Sequence, residues 1–109
     1  MTSARLSGSR IRHSVAFTLR HAEGSPEEAS FLAALTALRE IDGIEAYEVV
    51  REVSAKNSFR FGASMEFADR AAYDAYNGDP RHTAFVQDRW LREVTDFLEV
   101  DFAPLDAKS

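Results

Sequence analysis

The chain has 109 residues, enough for one domain with a modest core, and its 45% apolar and 28% charged residues describe a globular rather than a disordered protein. A net charge of −5 argues against a nucleic-acid partner, which needs a basic face, and only Arg5, Arg10 and Arg12 cluster. With no cysteine there are no disulfides, thiolate nucleophiles or Cys-based zinc sites, a usage that fits a reducing cytoplasmic setting, and no apolar run approaches the roughly 20 residues that cross a bilayer.

Residues 1–10 are rich in Ser and Arg, lack the apolar stretch of a secretory signal, and read as a flexible tail. Arg12 to Leu19 then alternates, with His13, Val15, Phe17 and Leu19 on one side, which predicts a half-buried strand. Ser25-Pro26-Glu27-Glu28 is a helix start: Ser25 caps, Pro26 fits the first turn, and Glu28 completes a capping box. That helix runs to about Glu40 and carries Phe31, Leu32, Leu35 and Leu38 as its apolar stripe. Asp42-Gly43 closes the unit. A second strand follows from Ile44 to about Val53, and Ser54 to Ser58 reads as a hairpin loop. The third strand, Phe59 to Phe67, has the clearest alternation in the chain.

Asp69 caps a short helix through Tyr76, and Asn77-Gly78 is expected to stop it. Asp79-Pro80 restarts a helix that reaches about Arg92 or Val94. A last strand covers Asp96 to Phe102. The order is βαβ twice, joined by a hairpin. It predicts an α+β domain of ferredoxin-like βαββαβ type, a four-stranded antiparallel sheet with its helices on one face. The other face then carries a mixture, such as Ala16, Gly62 and Phe97 with Ser64, Glu66 and Glu99, and alternation alone does not assign which set of residues faces the helices. A mixed, bulky second face suits pairing with a second copy.

Three stretches resemble the stress-responsive dimeric α+β barrel (Dabb) family. They are Ile11 to Phe17, with its basic residue, histidine and apolar strand; Tyr76-Asn77-Gly78-Asp79-Pro80-Arg81-His82; and the ending Val100-Asp101-Phe102. The resemblance covers residues 11–103 and leaves 104–109 as a second tail. It implies two sheets packed face to face as a homodimeric barrel, with no cofactor. Its members include plant stress proteins and polyketide cyclases; many bacterial members have no assigned activity. The tyrosine and histidine that work in the cyclases fall on Tyr76 and His82, and an opening-strand histidine falls on His13. A further cyclase histidine in the third strand is replaced here by Arg60.

Physical chemistry gives these residues plausible work and a plainer alternative. His82, near a helix start and on the face of Phe85, Val86 and Trp90, is either a neutral general base or a core histidine bonded to backbone. Tyr76 either orients a carbonyl through its hydroxyl or packs in the core, with Tyr73 as its neighbour and rival. His13 is either a third site group or a satisfied strand histidine. His21, in a polar loop, is expected to be solvated. No histidine shows metal-ligand spacing, and no glycine-rich phosphate loop exists, so no metal or cofactor is expected.

Two functions follow. The first is a pocket protein that binds a small apolar or aromatic molecule. Here His82, Tyr76 and His13 are candidates for cofactor-free acid–base chemistry of lyase, cyclase or isomerase type, and Arg60, Phe85 and Trp90 for binding. The second is a non-enzymatic stress or assembly protein whose role is the dimeric barrel itself, with His82 packed solid.

Overall fold

The computed structural model describes residues 5–106. Strand β1 spans Ile11–Leu19 and helix α1 spans Pro26–Ala37, followed by a 3-10 turn, Leu38–Glu40. Strands β2 (Glu45–Arg51) and β3 (Phe61–Phe67) form the hairpin. Helices α2 (Arg70–Gly78) and α3 (Pro80–Phe85) come next; the second continues through a π-turn, Val86–Trp90, and a closing turn, Leu91–Glu93, into strand β4 (Val94–Phe102). All strand pairs are antiparallel in the order β2-β3-β1-β4, the ferredoxin-like arrangement.

The helix starts form as their sequences dictate. The Ser25 hydroxyl accepts from the Glu28 amide at 3.1 Å. The Glu28 carboxylate reaches back to the Gly24 amide at 3.0 Å, one residue earlier than a standard capping box. Asp69 accepts from the Ala72 amide and Asp79 from the Arg81 amide. Gly78 does not stop α2. Its φ is not positive, so it stays helical, and the break falls at Asp79, which is extended (φ −67°, ψ 132°) because Pro80 follows.

The helix side of the sheet is built from Ile11, His13, Val15, Phe17 and Leu19 of β1 and Phe61, Ala63, Met65 and Phe67 of β3, all buried. Phe31, Leu35, Leu38, Tyr73, Tyr76 and Phe85 cover them from the helices. Phe17, Phe31 and Phe67 are wholly enclosed, each contributing about 1.5–3 kcal/mol by leaving water.

The register corrects the expected second face. Phe97 lies opposite Phe17 and Glu99 opposite Val15, so both point to the helix side. Leu98, Val100 and Phe102, opposite Ala16, Ser14 and Arg12, lie on the open face and are exposed. Val50 joins them from β2. An extra residue in β2, marked by Ala46 at φ 50°, shifts its pairing with β3. At one end of this face Glu66 bridges Arg10 (3.1 Å) and Arg12 (3.2 Å), and Arg10 also meets Glu45 at 2.8 Å. Arg10 and Arg12 of the N-terminal cluster are thus matched by acids. Ser9 and Arg10, read from the sequence as tail, are tied to Ala68, Glu45 and Glu66. No helix among the described residues is long and apolar enough to cross a membrane.

Candidate functional site

A cavity of about 320 Å³ opens between the sheet and the α2–α3 segment, within the size range of small-molecule sites. It exists because α3 crosses over β4 without packing onto it: Phe97 is 48% exposed although it faces the helices. Ala63 and Met65 form the floor, Leu35, Phe85 and Trp90 the walls. Five polar residues reach the same space: His13, Tyr76, Asn77, His82 and Glu99.

His13 projects from the middle of the sheet. Its Nδ1 is 2.6 Å from Asp101 Oδ1, and the Tyr73 hydroxyl donates to Asp101 Oδ2 at 2.9 Å and lies 3.2 Å from His13 Nδ1. A carboxylate only accepts, so Nδ1 carries the proton. In the neutral ring Nε2 then holds the lone pair, and it has no hydrogen-bond partner among the described residues. Burial first, and then the bond to Asp101, push the Tyr73 phenol up to about 12, so it remains a donor.

Tyr76 is 3% exposed and its ring stacks on His82 with centroids 4.3 Å apart, while His13 is 6.5 Å away. Burial raises its phenol well above the ordinary range. Its hydroxyl, too, has no partner among the described residues. No unpartnered polar side-chain atom there is sealed from solvent, so the Tyr76 hydroxyl and His13 Nε2 open on the cavity they line.

The break at Asp79 starts α3 so that His82 meets the Tyr76 ring, with centroids 4.3 Å apart. His82 Nδ1 donates weakly to the Asn77 carbonyl at 3.4 Å. Burial lowers its affinity for a proton, an effect only partly offset by that carbonyl and reinforced by His13. Unfolding releases this constraint. Below the ordinary value of 6.5 the unfolded chain therefore binds more protons, and stability falls with pH until the depressed folded value is reached. The loss of melting temperature between pH 7.5 and pH 5.5 is expected to be smaller in His82→Gln than in the parent. Equal losses in calorimetry would show that His82 titrates alike in both states.

The other candidates divide. Phe85 and Trp90 line the cavity. Arg60 does not: it pairs with Glu28 at 3.1 Å and lies 3.8 Å from Glu23, at the start of α1. It stands before β3 proper, where the chain emerges at the end of the sheet remote from His13. His21 is not solvated but bonded to Glu93 at 2.7 Å, next to Arg89. Among the described residues no group of three His, Cys, Asp or Glu is placed to hold a metal ion. Asp101 and Glu99 were not singled out as site residues from the sequence, and Tyr73 was read only as a rival of Tyr76. The signal for Asp101 lies in register: β1 and β4 set it directly opposite His13.

Residues 11–104 match the model of the stress responsive A/B barrel domain. No curated protein matches the chain. Among solved structures, a Dabb family protein of ferredoxin-like fold from Mesorhizobium loti is 52% identical, with a TM-score of 0.86 over 88% of this chain and 97% of that one. A dimeric ferredoxin-like protein of unknown function from Thermobifida fusca is 21% identical, with a TM-score of 0.73 over 93% of this chain and 96% of that one. The hydroxynitrile lyase of Passiflora edulis is 9% identical, with a TM-score of 0.78 over 93% of this chain and 98% of that one.

Proposed function

The chain belongs to the stress responsive A/B barrel domain family, and from that premise we propose that it binds a small, partly apolar molecule in the cavity at Tyr76 and His82 and acts on it by acid–base chemistry without a cofactor. The observation that carries the reading is the pair of unpartnered polar groups facing one cavity, the Tyr76 hydroxyl and His13 Nε2. Both atoms open on the cavity rather than being sealed away, so a ligand's polar groups can take the place of water there. His13, aligned by Asp101, takes a proton from carbon or oxygen beside a carbonyl. Tyr76 donates to the oxygen on which charge develops. His82, neutral and stacked on Tyr76, holds that ring in place and offers a second proton carrier. A lyase of the same fold exists in the hydroxynitrile lyase of Passiflora edulis, although fold alone does not transfer activity. The remote place of Arg60 gives no support to a copied cyclase site.

The open face of the sheet adds the quaternary half of the proposal. Leu98, Val100, Phe102 and Val50 expose apolar surface together, and a second copy laid across it by a two-fold axis would cover it. The same face favours the second reading, an assembly protein without chemistry, but that reading leaves the free groups of the cavity without a role.

The test is proton–deuterium exchange of small aryl ketones and aldols followed by NMR. The protein is expected to accelerate exchange beside the carbonyl, and Tyr76→Phe to lose about a hundredfold of that acceleration with an unchanged melting curve. Acceleration that is indifferent to both Tyr76→Phe and His13→Gln would end the acid–base assignment.

A further inference from the structure

The cavity carries one charged side chain with no partner. Glu99 reaches it from β4, between Phe97 and Asp101 on the helix side, and makes no hydrogen bond or ion pair among the described residues. It lies close enough to act electrostatically on Tyr73, Tyr76 and His82 together. No lysine or arginine among the described residues lines the cavity. Of the cations on the covering segment, Arg81 pairs with Asp79 at 3.0 Å and Arg89 with Glu93 at 2.5 Å, and Arg92, beside the lining residue Leu91, does not itself line the cavity. Arg60 is held by Glu28. The carboxylate of Asp101 beneath His13 adds a second negative charge, and burial disfavours the cationic form of His82.

A carboxylate or phosphate entering this space would shed water, gain no counter-ion and approach a fixed negative charge. An uncharged hydroxyl or carbonyl meets two hydrogen-bonding groups that have no other partner, and an ammonium gains Glu99 and the aromatic walls of Trp90 and Phe97. We propose, resting on the cavity reading above, that this site admits uncharged or cationic aromatic molecules and excludes organic anions, and that Glu99 sets the exclusion.

Trp90 lines the cavity, packs edge-on against Phe97 at 5.6 Å, and is the single tryptophan of the chain, so its fluorescence reports the site alone. Three probes of similar shape isolate charge: 4-tert-butylbenzyl alcohol, 4-tert-butylbenzylamine and 4-tert-butylbenzoate, titrated at pH 7.5 with excitation at the red edge of the indole band. The alcohol and the amine are expected to change the emission saturably, the amine at least as tightly as the alcohol, and the benzoate to bind at least about tenfold more weakly, a gap of about 1.4 kcal/mol. Glu99→Gln should shrink the gap to within about threefold by weakening the amine and admitting the benzoate; this exposed side chain is not needed for folding. Equal binding of all three, or a gap untouched in Glu99→Gln, overturns the charge proposal while leaving the cavity reading intact. No binding by any of them overturns both.

Discussion

Phe17→Ala is expected to destabilise the domain by about 3–5 kcal/mol, lowering its melting temperature by roughly 15–30 °C. Phe17 is wholly enclosed and its ring meets Phe31, Phe61 and Trp90 with centroids 5.2–5.8 Å apart. It stands where β1, the central strand, faces α1 and the π-turn. The void left by truncation would be walled by rings that are themselves fixed, and rigid surroundings collapse little. A domain of this size has about 5–15 kcal/mol in total, so the variant is expected to be partly unfolded at 37 °C. Phe97→Ala is the control. That ring is half exposed at the mouth of the cavity and its loss is expected to cost less than about 1.5 kcal/mol. Similar urea midpoints for the two variants would contradict this placing of the core.

Val100→Lys is expected to convert a dimer into a monomer. Val100 is central among the exposed apolar residues of β4 and is partnered on β1 by Ser14. Under two-fold pairing each copy contributes the same patch, so one substitution buries two ammonium groups without counter-ions. Each such burial costs several kcal/mol, enough to raise a dissociation constant by three or more powers of ten. Of the acids on this face, Glu66 is already shared by Arg10 and Arg12, Glu48 stands three strands away on β2, and Asp96 lies four residues along β4 from Val100. Sedimentation equilibrium should report a monomer for Val100→Lys with its helical circular dichroism intact, and a dimer for the parent and for Asp88→Lys on the exposed π-turn. A monomeric parent, or a dimeric Val100→Lys, would remove the sheet face from consideration.

The elements were legible because their signals are local. Alternation marked β1 and β3, and Ser25-Pro26, Asp69 and Asp79-Pro80 marked the helix starts through caps that need no distant partner. What failed needed the register between strands. In β4 the more apolar set, Leu98, Val100 and Phe102, faces away from the helices, the reverse of what burial inside one chain would choose. Alternation alone therefore could not say which set of β4 faces the helices, and only the register does. The family motif marked Tyr76, His82 and His13, and the fold brings these three to one cavity. Asp101 stayed hidden, and Tyr73 was read only as a rival of Tyr76, because neither is near His13 in sequence and a side chain's partner across 88 residues leaves no periodic trace. Gly78 misled for a different reason: glycine permits a left-handed stop but does not compel one, whereas Pro80 constrains its predecessor.

The bond between His13 and Asp101 joins the first strand to the last, and that has a consequence for synthesis. A nascent chain that has emerged as far as the π-turn can pair β1 with β3 and lay down both helices. It still lacks the carboxylate that fixes the His13 tautomer and the strand that supplies Phe97 and Glu99. Until β4 has cleared the ribosomal tunnel, the cavity has neither the histidine held by Asp101 nor one of its walls. Under the proposed function, recognition of a small molecule would be withheld from every incomplete chain, and any stabilisation that the molecule confers would come only after translation of this segment has finished.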